Sequence, residues 1–313
     1  MKAFEVLNPG VFTAVQDLGR PGYMKYGTPA SGVADRFSAQ VANSLVGNPP
    51  GAALLEITLF RLELLGLNDL VIGLTGGDLS PTLNGNPLPM WQTFPVNKGN
   101  RIAFRMRKQG FRAYLAVQGG LSGKEFLGSR SVFVRGLMGN VLQTGEILES
   151  GNPVTQSIVL KKMPQEMVPA FSDKNPLRVI LGPQEDRFTP KGIETFLSSE
   201  YRVSPQSDRM GYRLQGPTIE HSRGADIISE PIARGAIQVP GDGLPIILLW
   251  DGQVSGGYTK IANVISADLD HLAQVMPGDR IHFMAVSLEE AHQALREERG
   301  RWGRGQLAML KMT

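Results

Sequence analysis

The apolar stretches of this chain are short, and almost every one is closed by a glycine or a proline. With 37 Gly and 21 Pro in 313 residues, turns recur too often for long helices and leave room for strands of about four to eight residues. Such runs lie at Ala3–Leu7, Leu54–Leu59, Arg61–Leu65, Asp69–Leu74, Arg101–Met106, Arg112–Val117, Leu177–Leu181, Ile246–Leu249 and Arg280–Ala285. Arg61-Leu62-Glu63-Leu64 and Arg101-Ile102-Ala103-Phe104 alternate with period two, as half-buried strands do. Asn84-Gly85 between two short runs predicts a tight hairpin turn.

Helical signals are few. Phe37, Val41, Ala42 and Leu45 form one stripe across Ala34–Val46, and Gly47-Asn48-Pro49-Pro50 ends it. Ser287 with Glu290 three residues on predicts a capping box and a helix to about Arg299. Pro190–Ser198 is a third helix. The chain therefore reads as mainly β with a few short helices. Its length and its 42% apolar content allow two domains, each with its own core. Pro153, Pro164, Pro169 and Pro176 interrupt a polar stretch with little periodicity. The expected division is residues 1–165 and 170–313.

Composition removes several classes of function. No cysteine is present, so disulfides, thiolate metal sites and a cysteine nucleophile are excluded. Apolar runs fall short of the ~18 residues of a membrane helix, and the N-terminal Met-Lys-Ala-Phe-Glu-Val has no signal-peptide run. A soluble, cytoplasmic protein without membrane contact is expected. The formal net charge is +3, and the basic cluster Arg296, Arg299, Arg301 and Arg304 is partly offset by Glu297 and Glu298. Nucleic-acid binding needs a broader basic face with interleaved aromatics, so no nucleic-acid partner is expected.

Familiar catalytic patterns fail on particular residues. Gly119-Gly120-Leu121-Ser122-Gly123-Lys124-Glu125 resembles a phosphate loop, but Gln118 stands where Gly is needed and Glu125 where Ser or Thr is needed; it reads as a turn. Val254-Ser255-Gly256-Gly257 approaches a nucleophile elbow, yet Gln253 occupies the first Gly position. His221, His271, His282 and His292 show no paired metal spacing, so no metal ligands are assigned.

Three polar, Gly-rich segments remain. Gln16–Tyr23 and Gly27–Phe37 bring Asp17, Arg20, Tyr23, Ser31 and Asp35 into loops whose glycines permit close backbone approach to a ligand. The same residues suit a buried Asp–Arg brace that caps the following helix. Ser207–Leu214 holds Asp208, Arg209, Tyr212 and Arg213, a set able to bind a carboxylate or phosphate through guanidinium, or to form an ion pair on a hairpin. Ile237–Gly243 leads through a strand to Asp251–Lys260. There Gln253, Gly256, Gly257, Tyr258 and Lys260 could present backbone N–H groups and an ammonium to an anion, and a tight barrel turn explains the glycines equally.

These segments, taken with Leu127-Gly128-Ser129-Arg130-Ser131 and with Leu272-Ala273-Gln274 before Pro277-Gly278-Asp279, resemble the KipA-like family. The family is also known as allophanate hydrolase subunit 2 or the C-type subunit of 5-oxoprolinase, and is related to the carboxyltransferase domain of urea carboxylase. The resemblance runs from Gly10 to about Phe283. It departs where members usually read Gln-Thr-Thr-Gly-Gly-Tyr and this chain has Gln253-Val254-Ser255-Gly256-Gly257-Tyr258. It departs again at Gly241, where a second Pro is common, and at Arg135–Asn140, which is shortened. The resemblance implies a cyclophilin-like β-barrel architecture. It implies as partners the B-type (KipI-like) and A-type subunits of 5-oxoprolinase. It further implies ATP with Mg²⁺ for opening the lactam of 5-oxoproline to glutamate. Under that implication Arg20, Arg209, Arg213 and Lys260 bind anions, and Asp17 or Asp208 serves as base or metal contact. The same resemblance leaves two alternatives. One is a biotin-dependent carboxyltransferase half whose biotin arrives on another chain, since Leu310-Lys311-Met312-Thr313 is only a fragment of an attachment pattern. The other is a non-catalytic antagonist of a histidine-kinase inhibitor.

Overall fold

A computed structural model describes residues 1–151, 160–171 and 175–310, without the side chains of 302 and 304–310. Pro153 and the terminal Lys311-Met312-Thr313 lie outside the described residues. The chain divides into two compact units. One comprises Met1–Arg20, Ser31–Phe171 and Gly300–Thr313; the other comprises Pro21–Ala30 and Ser172–Arg299.

The strands of the first unit are β1 (Lys2–Pro9), β2 (Phe12–Gln16), β3 (Leu54–Thr58), β4 (Leu62–Gly66), β5 (Leu70–Asp78) and β6 (Pro81–Leu83). They continue with β7 (Asn86–Pro87), β8 (Gln92–Val96), β9 (Arg101–Phe104), β10 (Gln109–Val117) and β11 (Ile147–Glu149). They form a six-stranded sheet, β11-β1-β4-β9-β6-β7, and a five-stranded sheet, β2-β3-β10-β5-β8. The alternation read from sequence decides how these sheets pack. Leu62, Leu64, Ile102 and Phe104 are fully buried in one core with Leu55, Ile57, Ile72, Leu74, Leu115 and Val117 from the other sheet. Each such side chain contributes about 1.5–3 kcal/mol on burial. The Asn84-Gly85 turn joins β6 to β7, with both residues at positive φ (51° and 83°), as a primed hairpin turn requires.

Helix α1 (Arg36–Leu45) covers the other face of the five-stranded sheet, through Ala39 and Ala42 on Leu54, Val71, Tyr114 and Ala116. β10 is therefore buried on both faces from Gly110 onwards, and its Ala113–Val117 stretch reads as a continuous apolar run. Gly73 permits the contact: a Cβ there would lie 2.7 Å from the Ala42 carbonyl oxygen. The outer side of α1 carries Phe37, Val41 and Leu45, which pack with Trp91, Met163, Met167, Val168 and Phe171.

The second unit contains β12 (Leu177–Leu181), β13 (Tyr201–Val203), β14 (Gly211–Gln215), β15 (Asp226–Pro231) and β16 (Ala236–Gln238). It continues with β17 (Ile246–Leu248), β18 (Ser255–Tyr258), β19 (Lys260–Val264), β20 (Arg280–Ile281) and β21 (Phe283–Ala285). Eight strands form one sheet in the order β20-β13-β14-β17-β16-β19-β12-β21, and β15 pairs with β18 as a separate ribbon. The two end strands of the large sheet are consecutive in the chain, split at His282, whose carbonyl accepts from Leu177 N at 2.9 Å. The sheet is thus a nearly closed barrel, in keeping with the cyclophilin-like expectation.

Helix α2 (Pro190–Ser198) has Thr189 as its N-cap and Pro190 in its first turn, and stacks Phe196 on Phe283 at 4.5 Å. α3 is the short Leu269–Leu272. α4 (Leu288–Leu310) starts at the expected capping box: Ser287 N donates to Glu290 Oε2 at 2.7 Å and Glu290 N to Ser287 Oγ at 3.2 Å. It extends beyond the expected end near Arg299. Among the described residues, no helix is long and apolar enough to cross a membrane.

Candidate functional site

In the first unit, the loop that leaves β2 is built around Asp17. Its Oδ1 accepts from Gly19 N (2.8 Å), Ser129 Oγ (2.6 Å) and Ser131 Oγ (2.6 Å), while Oδ2 accepts from Arg130 N (2.6 Å). Arg20 is buried at 1% exposure. Its guanidinium donates from Nε to the Phe126 carbonyl at 3.3 Å and from Nη2 to the Ser131 carbonyl. The Leu127–Ser131 motif is therefore the seat on which the Asp17–Arg20 loop sits. Gly32 closes over it at φ 90°, where a Cβ would lie 2.9 Å from Gly19 N, and Val33 N donates to Asp17 O at 2.9 Å. Ser31 is buried at positive φ, 53°.

Asp35 belongs to a different network. It caps α1, accepting from Ser38 N at 2.8 Å and Ser38 Oγ at 2.5 Å. Its own N–H donates to the Tyr114 hydroxyl, which donates to Glu56 Oε2 at 3.0 Å. Burial first, then the Glu56 and Asp35 charges, push the Tyr114 phenol well above its ordinary value, so it stays a hydroxyl that can both accept and donate.

The second unit holds Tyr23, half-buried beside Tyr26 at 6.5 Å, and the remaining sequence-predicted residues. Arg209 and Asp251 form a buried bidentate pair, Nε–Oδ2 2.8 Å and Nη2–Oδ1 3.3 Å, and Asp251 N donates to Arg209 O at 2.9 Å. Two of the three motif segments are thereby locked together. Asp208 accepts from Met210 N at 2.7 Å, closing the turn before β14, and Arg213 is exposed on that strand. Tyr212 points its hydroxyl into the barrel, to the Val275 carbonyl at 2.7 Å.

The residues from 253 to 260 reach partners that spacing alone does not reveal. Lys260 is 6% exposed, and its ammonium donates to Glu230 Oε1, which also accepts from Gln184 Nε2 at 2.8 Å. Lys260 N returns to Gln184 Oε1 at 3.2 Å. The Lys260 hydrogen bond, then the Gln184 one, hold the Glu230 carboxyl below its ordinary value, so it is ionised at neutral pH. Beside this pair, a Cβ on Gly256 would stand 2.9 Å from Gln238 Nε2 and 3.3 Å from Gln253 Nε2. Glycine there leaves the two amides room. Gly257 lies under the Ile227 carbonyl, and Tyr258 is 40% exposed at the end of β18. His221 Nε2 stands 3.1 Å from both Val239 O and Thr259 Oγ1; the carbonyl can only accept, which fixes that nitrogen as the protonated one. Gln184, Glu230, Gln238 and His221 are thus additions to the sequence-derived set.

This arrangement offers one ammonium–carboxylate pair, three side-chain amides and a Gly-rich strand where the β15–β18 ribbon is tied to β19 of the barrel sheet. It can hold a polar, planar amide-like group and an anion. Val254–Gly257 is ordinary strand around β18, with no strand-to-helix turn, so no nucleophile elbow forms.

The family model for the carboxyltransferase domain, subdomain A and B, matches residues 26–285. The chain belongs to this carboxyltransferase-domain family. Among its relatives, the C-type 5-oxoprolinase subunit of Escherichia coli is 35% identical over 298 residues, covering 94% of each chain. The urea amidolyase of Lachancea kluyveri is 36% identical over 93% of this chain, which spans 17% of that protein. Among solved structures, the K. lactis urea amidolyase superposes with a TM-score of 0.89 at 34% identity, covering 96% of this chain and 20% of that one. The structure of TTHA0988 gives 0.82 at 37% identity, with 91% of this chain covering 55% of the other. The carboxyltransferase-domain assignment thus takes in both units and every motif segment from Gly27 onwards.

Proposed function

We propose that this chain is the C-type subunit of an ATP-dependent 5-oxoprolinase, opening the lactam of 5-oxo-L-proline to L-glutamate. It would do so in a cytoplasmic complex with the B-type (KipI-like) and A-type subunits. The observation that carries this reading is the end-to-end correspondence with relatives named for the C-type component, 94% of each chain. Urea amidolyases, in contrast, contain a domain like this one as a small fraction of their length.

An amide carbonyl is a poor electrophile. Transfer of the γ-phosphoryl group of ATP to the lactam oxygen makes the carbon attackable by water. The ring C–N bond then breaks with a proton moving to nitrogen, and a second water releases phosphate. Catalysis of such a step is chiefly positioning and charge stabilisation. In this reading Lys260 and Arg213 supply positive charge to the phosphate and the substrate carboxylate. Gln238, Gln253 and the N–H groups of Gly256 and Gly257 orient the planar lactam. Tyr23, Tyr212 and Tyr258 shape the second unit's loops around it; in the first unit Ser31 shapes the loop before α1 and Asp35 caps that helix. Arg20 and Arg209 act as positioning residues that hold the Asp17 and Asp251 loops. Asp208 serves as the base for water or as a contact for Mg²⁺, while Asp17, whose oxygens already accept from four donors, braces its own loop in the first unit. Among the described residues no three His, Asp or Glu side chains are grouped as a metal site. That suits a magnesium ion delivered on ATP phosphates, which needs one or two protein carboxylates.

Arg20→Ala or Arg209→Ala is expected to abolish glutamate formation while the complex with the KipI-like partner still assembles on gel filtration; retained turnover overturns their role. The likeness to urea amidolyase favours one second reading, a carboxyltransferase half fed by biotin on another chain. Biotin-dependent carboxyl transfer without ATP-driven lactam opening decides for it. A tight complex with the KipI-like partner, silent in both assays, decides for a regulatory role.

A further inference from the structure

The turn Gly119–Glu125, which fails as a phosphate loop, borders a cavity of about 260 Å³ in the first unit. That is just under the roughly 300 Å³ at which pockets for drug-sized ligands begin, so it suits a small metabolite. Its lining is divided by chemistry. Leu142 and Leu148, both buried, give it an apolar floor. Lys124 and Arg130 come from one chain segment, Glu146 and Glu149 from another. The two cations are already placed. Lys124 Nζ lies 4.8 Å from the centre of the Phe126 ring. Arg130 is held by Glu125 at 2.7 Å through Nη2, while its Nε is buried with no hydrogen-bond partner among the described residues. Glu146 is oriented through Oε2, which accepts from Gln143 N at 2.9 Å.

A simple anion would meet two carboxylates in this cavity and a simple cation would meet two basic groups. A ligand carrying one charge of each sign, with an apolar body, satisfies both walls and the floor. A buried guanidinium N–H without a partner costs free energy that a ligand carboxylate would recover. We propose that this pocket binds a zwitterionic small molecule of the free amino acid class, its carboxylate on Arg130 and Lys124 and its ammonium on Glu146 and Glu149. The inference does not depend on the proposed lactam chemistry, because none of the residues assigned to that chemistry lines the pocket.

Isothermal titration of the full chain with L-leucine tests it, alongside 4-methylpentanoate, which lacks the ammonium, and 3-methylbutylamine, which lacks the carboxylate. Saturable binding of L-leucine is expected, weakened about tenfold or more when either charge is missing. Arg130→Gln and Glu149→Gln should each weaken leucine by a similar factor at unchanged melting temperature. No saturable binding in the millimolar range, equal binding of all three compounds, or leucine binding indifferent to both substitutions overturns the proposal.

Discussion

The Arg209–Asp251 pair allows a stability argument to be worked from geometry. Both side chains are nearly removed from water, 7% and 10% exposed, and their two contacts are 2.8 and 3.3 Å. Desolvating such a pair costs about as much as its attraction returns, so the pair as a whole adds little. Removing one partner strands a buried charge and costs about 3–5 kcal/mol. Arg209→Met, which takes the guanidinium away from the buried Asp251 carboxylate, should therefore raise the unfolded fraction by roughly two to four orders of magnitude. Arg209→Met with Asp251→Leu removes both charges at similar volume and should recover most of that loss. Trp250 is buried at 2% exposure next to Asp251, so its fluorescence in a urea titration reports on the region concerned. A single variant within about 1 kcal/mol of the parent, or a double variant as unstable as the single, refutes the buried-pair reasoning.

Three further outcomes follow from particular contacts. Asp17→Ala removes an acceptor from four donors; at about 1 kcal/mol per net hydrogen bond, a loss of about 2–4 kcal/mol is expected by urea denaturation, with Asp17→Asn intermediate. Gly182→Ala would place a Cβ 2.2 Å from the Lys260 carbonyl oxygen. The backbone there must shift, so a cost of about 1–3 kcal/mol is expected by thermal melting, together with reduced turnover. Burial lowers the His271 pKa beneath its ordinary 6.5, against a smaller opposing pull from Asp268. The unfolded chain therefore takes up that proton first, and stability falls as pH drops through 6.5 until the folded-state value is reached. Urea midpoints across this window should show the decline in the parent and a flatter profile in His271→Gln.

The strands that sequence reveals are those whose burial alternates or is complete, such as β4, β9 and β10. β13, β15, β16 and β18 escape notice because three to six residues, half of them polar in β15 and mostly polar or glycine in β18, carry no periodic signal. Their strand character comes from pairing partners distant in the chain. The split of Arg280–Ala285 at His282 reflects barrel closure, since one run must pair with β13 on one side and β12 on the other. At the candidate site, the Gly-rich segments stand out because glycine and charge cluster locally. Glu230 and Gln184 do not, because each is a single polar residue without a spacing partner, 30 and 76 residues from Lys260. Asp35 illustrates a residue with two readings: its hydrogen bonds to Ser38 are those of a helix cap, the alternative that its position before a helical stripe already offered.

The most direct test is ATP hydrolysis by the purified complex of this chain with its B-type and A-type partners, measured with and without 5-oxo-L-proline and with glutamate quantified in parallel. Hydrolysis should rise on adding 5-oxo-L-proline, with glutamate formed in step, and both should be lost in Lys260→Met while the complex remains assembled. Hydrolysis indifferent to 5-oxo-L-proline, or full activity in Lys260→Met, would contradict the proposed lactam opening.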